Sequence, residues 1–420
     1  MNNATSPTPY QSADILVLFA TRAVRLFAYG SLSVYLVLYL ATLGLSEPQI
    51  GLLLTLTLVG DTVVSLWLTT RADRFGRRRT LLLGALLMIA AGAVFAIAGS
   101  FAVLLIAATI GVISPSGNEV GPFLPIEQAA LSQVVDDRRR TTVFAWYTMA
   151  GAMATALGSL AGGLLIGGLQ GLDVSELASY RLGVASYAML GVALLAVFWH
   201  LSPAAEAPTA GVSSVAGAPH RWLGLVRSQR VVLRLSALFS LDAFGGGFVI
   251  QSLTAYWFHV RFGVEPAALG GIFFGANILA GLSALAAARL AKRFGLVNTM
   301  VFTHLPSNIL LILVPLMPDL PWAVAVLFLR FSISQMDVPT RQSYVMAVVP
   351  PEERSAAAGV TGVARTIGAS VSPLLAGMLL ANSATMDMLF YLAGGLKIVY
   401  DLILYRSFVR YRPPEETAAR

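Results

Sequence analysis

Long apolar runs, interrupted at near-regular intervals by short polar clusters, dominate this chain from about residue 14 to residue 407. Each run reaches the roughly 20 residues that a helix needs to cross a hydrocarbon core, and a helix satisfies its own backbone groups in lipid. The pattern predicts twelve spans, at 14–43, 49–69, 80–99, 101–135, 142–168, 182–201, 231–260, 267–288, 299–317, 321–349, 356–381 and 386–407. The fourth is irregular. As one helix, 101–135 would run about 52 Å, yet it contains Ser114-Pro-Ser-Gly-Asn-Glu-Val-Gly-Pro122, which cannot be regular helix. Such backbone is tolerated at membrane depth only against protein or a watery cavity. Pro122 suits the first position of a new half-helix, and broken helices bind substrates or ions in transporters. The competing reading is a bend that fits an over-long helix, with Glu119 in a structural pair.

Composition agrees with the pattern. Of 420 residues, 57% are hydrophobic and 12% charged, about half the charge of a soluble domain. The fold class is an all-α polytopic membrane protein. The net charge of +7 does not point to nucleic acid, because the basic residues cluster between spans. Arg71–Arg79, Arg138–Arg140, the Arg221–Arg234 region, Arg289–Arg293, Arg354 and Arg406–Arg412 fall on one side. By the positive-inside rule that side is cytoplasmic, which puts both termini inside a multi-pass protein of the cell (inner) membrane. The first dozen residues lack a basic region, so the first span is expected to act as the targeting signal. No cysteine is present.

Ser202–Pro219, rich in Ala, Pro, Gly and Ser, reads as a linker between two halves. The expected division is 1–201, a linker at 202–221, and 222–420. The halves align. Thr42–Gly44 followed by Gly51 matches Arg261–Gly263 followed by Gly270, at the offset that superposes RADRFG (71–76) on LAKRFG (290–295). A second block pairs Pro125-Ile-Glu127-Gln128 with Pro339-Thr-Arg341-Gln342, at an offset five residues smaller. Two blocks in the same order indicate a parallel repeat, with extra chain in the fourth span.

The hairpin Arg71–Arg79, reading RADRFGRRR, resembles the loop between helices 2 and 3 of major facilitator transporters. Their pattern is Gly-x-Leu-x-Asp-Arg-x-Gly-Arg-Arg. The Asp-Arg-x-Gly-Arg-Arg part is intact here, whereas Thr69 and Arg71 stand at the Gly and Leu positions. The resemblance implies two pseudo-symmetric six-helix bundles, twelve transmembrane helices in all, working by alternating access. It also implies a cytoplasmic lock formed by Asp73, Arg74, Gly76 and Arg77. The fifth span carries Gly151, Gly158, Gly162, Gly163, Gly167 and Gly168. That run resembles the glycine-rich helix 5 of the family's antiporters without its Gly-Pro pair, and ordinary close packing explains it as well.

Ionisable residues inside spans cost roughly 2.5–3.5 kcal/mol each at a helix centre. The first half has Arg22, Arg25, Asp61, Glu119 and Glu127, and the second has Asp242, Arg330, Asp337, Arg341, Arg365, Lys397 and Asp401. The expected pathway residues are Arg25, Asp61, Glu119, Glu127, Asp242, Arg341 and Arg365. In the family, helices 1, 4, 7 and 10 line the cavity. Glu127 and Arg341 occupy equivalent positions of the repeat, so a salt bridge between them is one expectation and separate structural pairs the other. Arg22 is expected to snorkel to the headgroups, and Lys397 to pair with Asp401 one turn on.

No metal-ligand spacing joins His200, His220, His259 and His304, and no Gly-Lys-Ser/Thr phosphate loop occurs. Neither an enzyme nor a cofactor is expected. The function expected is secondary transport of a small organic solute. The arginines favour an anionic or zwitterionic substrate, and Glu127, Asp242, Asp61 and Glu119 are the expected carriers of a coupling proton. The alternative is proton-driven efflux of diverse amphiphiles along Phe27, Tyr29, Trp146, Tyr147, Phe244 and Trp257. A membrane receptor that transports nothing is the remaining reading.

Overall fold

In the computed structural model, residues 9–135, 137–206 and 225–409 are described, and among them every regular element is helical. Most of the linker, Arg221 and the tail arginines Arg410 and Arg412 lie outside these residues, as do the side chains of Arg138–Arg140. The α-helices of the first half are α1 (Pro9–Thr42), α2 (Glu47–Thr69), α3 (Ala72–Phe75), α4 (Arg77–Ile97), α5 (Phe101–Ile110), α6 (Phe123–Val134), α7 (Asp137–Gly171) and α8 (Glu176–Trp199). Those of the second half are α9 (Gln229–Gly247), α10 (Gln251–Phe262), α11 (Pro266–Phe294), α12 (Leu296–Leu313), α13 (Leu320–Ser334), α14 (Asp337–Ala347), α15 (Arg354–Leu380) and α16 (Met388–Phe408). Among the described residues, ten stretches are long and apolar enough to span a membrane as helices, with α9 and α10 forming one of them. The fourth and tenth spans are each made of two shorter helices, α5 with α6 and α13 with α14, which completes twelve.

Three spans are broken. The residues between α5 and α6 are 111–122, where the Pro- and Gly-rich segment was expected to interrupt the helix. The tenth span breaks over only 335–336. This accounts for the change of offset between the halves: the starts of α5 and α13 differ by 219 positions, those of α6 and α14 by 214. The seventh span breaks after Gly245–Gly247, where three glycines weaken the helix.

The repeat reaches into backbone detail. Gly44 and Gly263, 219 positions apart, both take left-handed φ, +84° and +67°, the conformation that ends a helix cheaply only at glycine. Gly76 and Gly295 are matched likewise, at φ +104° and +86°. Each precedes a helix whose fourth residue on, Thr80 or Thr299, donates its hydroxyl back to the glycine carbonyl, at 2.9 and 2.8 Å.

Two compact units emerge from the packing. One comprises residues 1–45, 59–212 and 264–274, the other 46–58, 213–263 and 275–420. Within the first, α1 packs most extensively against α7, and α4 against α8; within the second, α9 packs on α15 and α12 on α16. Glycine lets the backbones meet. On α7, Gly158 faces Phe27 and Gly162 faces Ser31 of α1, and Gly163 lies against Gly270 at the start of α11. In the second unit Gly51 of α2 meets Gly377 of α15. The glycine run of the fifth span is therefore used in close helix packing. The core of the second unit includes Leu235, Phe239, Met300, Tyr344, Tyr400 and Leu404.

Candidate functional site

Each unit buries one cluster of charge. In the first, α1 supplies Arg25, which is fully buried. Its guanidinium grips Glu127 of α6 with two bonds of 2.7 Å and reaches Glu119 with two of 3.2 Å. Glu127, also fully buried, accepts further bonds from Thr21 at 2.9 Å and from the Tyr147 hydroxyl. Arg22, one turn before Arg25, donates to Glu119 at 2.6 Å and lies over the Tyr147 ring. Arg22 therefore does not snorkel, because Glu119 in the break of the fourth span draws it inward. Two arginines and two carboxylates compensate one another here, as buried ions must.

The broken segment is held by side chains from four helices. Asp61 of α2 accepts the Gly121 N–H at 2.5 Å, Tyr29 of α1 donates to the Val120 carbonyl at 3.2 Å, and Tyr187 of α8 donates to that of Val112 at 2.7 Å. Thr155 of α7 reaches the Gly117 carbonyl at 3.4 Å. Gly117 and Gly121 take φ of +71° and +81°, so the path of the segment depends on glycine. The structure thus gives Asp61 a backbone partner, apart from the arginine cluster.

The second cluster centres on Asp242 of α9, which is 3% exposed. Lys397 of α16 donates to its Oδ1 at 2.6 Å, and Arg341 of α14 to its Oδ2 at 3.1 Å. Arg341 also bonds Asp337 at 3.0 Å, and its guanidinium lies over the Phe239 ring. Arg365 of α15 stands 3.7 Å from Asp242 Oδ2. His304 and Asn308 of α12 bond the two oxygens of Asp401 at 2.9 and 3.0 Å. One expectation changes, and of two open alternatives the structure has one. Lys397 binds Asp242 rather than Asp401, which faces α12 instead. Glu127 and Arg341 are equivalent in the repeat, yet Glu127 is committed to Arg25 and Arg341 to Asp242 and Asp337, each within its own unit. Arg330 of α13 lies over Phe331 and belongs to neither set of ion pairs described above.

In the hairpin, Arg77 bonds Asp73 at 2.8 Å, Gln133 of α6 at 2.8 Å and the Ala205 carbonyl at 3.1 Å. Glu206 accepts the Arg77 and Arg78 N–H groups at 2.6 and 3.1 Å and so caps α4. Gly76 makes the turn and Arg74 is exposed. Sequence reasoning missed Thr21, His304 and Asn308. The last two are polar residues one turn apart in an apolar span, which was the available signal.

Residues 18–373 match the sequence pattern of the Major Facilitator Superfamily. The chain belongs to the major facilitator superfamily. An uncharacterized membrane protein of Saccharomyces cerevisiae, YJR124C, is 31% identical over 424 residues, covering 95% of this chain and 94% of the yeast protein. Among solved structures, the nucleoside transporter NupG superposes with a TM-score of 0.75 at 14% identity, over 94% of this chain and all of that one. The human organic anion transporter MFSD10 (TETRAN) does so with a TM-score of 0.60 at 18% identity, over 94% and 100%. These structural likenesses show the fold, which hosts different substrates and cannot choose among them.

Members of the major facilitator superfamily are transporters, not enzymes, so the two charge clusters belong to a transport protein. Of the six aromatic residues expected along an efflux path, three are spent on packing. Tyr29 and Tyr147 are fully buried and donate to Val120 and Glu127, and Trp257 is buried with its indole N–H on Asp387 at 2.9 Å. Phe27 and Phe244 are partly exposed and Trp146 exposed.

Proposed function

We propose that this protein is a secondary active transporter of a small anionic or zwitterionic solute, working by alternating access with protons as the coupling ion. In this reading the cell membrane holds it with both termini cytoplasmic, as two bundles at 1–201 and 222–420 joined by 202–221. The observation that carries the substrate class is the uneven use of the arginines in the two charge clusters. Arg25 spends its donors on Glu119 and Glu127. Arg365 does not: its side chain is 35% exposed although its Nη1 is itself buried, that nitrogen has no hydrogen-bond partner, and it stands 3.7 Å from Asp242. A guanidinium with unspent donors in a fixed fork matches a carboxylate or phosphate. Efflux of diverse amphiphiles is less well supported, because three of the six aromatic residues expected to line its path are buried and bonded inside the fold.

The test is a thermal-shift screen of the purified protein against matched anionic, zwitterionic and cationic metabolites and drugs. A ligand present at a hundred times its Kd stabilises the folded state by about 2.7 kcal/mol. Anions are expected to raise the unfolding temperature of the parent protein and to lose that effect in Arg365→Gln. Stabilisation by hydrophobic cations alone, equal in the parent and the variant, would sink the anion reading.

A further inference from the structure

Asp61 stands on α2, on the face opposite the exposed apolar stripe of Val59, Val63, Leu66 and Trp67, so it looks into the first unit rather than into lipid. The Gly121 N–H donates to its Oδ1 at 2.5 Å, and the Ser65 hydroxyl donates to the same oxygen at 3.2 Å. Among the described residues no group donates to Oδ2. The one charged group among them within electrostatic reach of Asp61 is Glu119, which carries the same sign. Arg22 and Arg25 are spent on Glu119 and Glu127. Around the broken segment two arginines therefore meet three carboxylates, and Asp61 is the one left over.

A purely structural role does not need that charge. The Gly121 N–H asks only for an acceptor, and the amide oxygen of an asparagine is one, without the insertion cost of an ionisable side chain in a span. Carboxylates inside a protein are kept where they are paired, and here the described residues supply no cation. The surroundings select the kind of cation. A hard metal ion needs about six oxygen ligands, whereas the carbonyls of Val112, Gly117, Asn118 and Val120 already accept from Tyr187, Thr155, Ser114 and Tyr29. An ammonium group brings its own donors and is satisfied by a carboxylate with polar neighbours. The segment beside Asp61 is not sealed, since Asn118 is exposed and Glu119 keeps 18% of its side chain exposed.

We propose that Asp61 binds an organic ammonium group, which makes the transported solute a zwitterion. The choice of zwitterion rests on the anionic-or-zwitterionic reading above; the ammonium site does not. The test uses the purified full-length protein and a panel of α-, β- and γ-amino acids. Each is paired with its N-acetyl derivative, which keeps the carboxylate and loses the cation, and with its primary amide, which keeps the cation and loses the carboxylate. Unfolding temperature against concentration gives an apparent affinity for each. An amino acid and its amide are expected to stabilise the parent, and N-acetylation to weaken binding roughly ten- to a hundredfold. Asp61→Asn is expected to keep the unfolding temperature of the ligand-free parent, because Gly121 keeps its acceptor, and to lose the response to both ammonium compounds. Arg365→Gln is expected to keep the response to the amide. Asparagine has the shape of a protonated aspartic acid, so an Asp61→Asn protein that still binds the amide would overturn the proposal and leave Asp61 as a proton carrier or a structural acceptor. Equal affinity for an amino acid and its N-acetyl derivative would overturn it too, as would a panel in which no ammonium compound stabilises the parent. Should Asp61→Asn not fold, the parent decides alone. Attachment of dicyclohexylcarbodiimide at Asp61, mapped by peptide mass, is expected to be slowed by the amide and not by the N-acetyl derivative; equal rates with the two would sink the assignment. Stabilisation by anions without any by ammonium compounds leaves the anion reading standing and this one overturned, and the reverse keeps Asp61 and sinks the anion reading.

Discussion

Arg25 has no water to turn to. Its guanidinium is fully buried, and Glu119 and Glu127 are its compensation. Removing one member of a buried pair strands the other and costs about 3–5 kcal/mol, whereas replacing both with apolar residues is often close to neutral. Arg25→Leu is therefore expected to lower the stability of the purified protein by that amount in denaturant titration. Arg25→Leu with Glu127→Leu is expected to recover most of the loss, although Thr21 and Tyr147 then lose an acceptor. A double variant no better than the single one would mean that the pair is not where the energy resides. At this scale the sequence was legible as a set of buried charges but not as a set of pairs. Insertion cost marks Arg25, Glu127 and Asp242 as purposeful wherever they point. Which carboxylate meets which cation depends on helix azimuths, and these moved Lys397 from Asp401 to Asp242 and brought Arg22 onto Glu119.

Among the elements, the joint between α14 and α15 is fastened by one carboxylate. Glu353 accepts the N–H groups of Val226, Arg227 and Ser228, at 3.0, 2.8 and 3.1 Å, and the Ser228 hydroxyl. This ties the approach to α9 to the start of α15. The Ser228 hydroxyl and the backbone donors hold its pKa down, from 4.5 to about 2. Because the folded value lies below the unfolded one, this contribution is complete above the unfolded pKa and disappears as the pH falls through the folded one. The gap in thermal midpoint between the parent and Glu353→Gln is expected to be constant near neutrality, to narrow below about pH 4.5 and to close near about pH 2. A gap independent of pH across that range would contradict the assignment. Element boundaries were legible where the chemistry is local: Pro122, Gly117 and Gly121 announce the break in the fourth span, and Gly76 and Gly295 announce turns. The break between α13 and α14 was not, because Ser334-Gln335-Met336 contains no breaker and only Pro339 beyond it disfavours a continuous helix.

For the molecule as a whole, the internal repeat was the most readable property, since hydropathy and two sequence blocks report it directly. It survives as matched glycines in left-handed conformation and as matched helix pairs, α1 with α7 against α9 with α15. Repetition did not extend to chemistry. The first unit balances two arginines with two glutamates on α1, α6 and the broken segment, while the second uses three aspartates, two arginines, a lysine and a histidine on five helices. His304 went unread because a lone histidine in an apolar span acquires meaning only when α9 and α16 are brought beside α12.

The broken segment of the fourth span also imposes an order in time. Its carbonyls at Gly117 and Val112 are satisfied by Thr155 and Tyr187, which leave the ribosome some forty and seventy-five residues later. Unsatisfied backbone in hydrocarbon costs several kcal/mol per group, so this span cannot complete its insertion when its own turn comes. It must wait in a sheltered or aqueous setting until α7 and α8 arrive. The absence of native cysteine makes the wait observable. Val112→Cys is expected to react with a water-soluble maleimide in nascent chains that end before α8 and to be protected once the full chain is released. Equal protection in both would mean that the segment settles without its later partners. The irregular stretch thus acts as a checkpoint of assembly, holding half of a bundle unfinished until the last helix that supports it has been made.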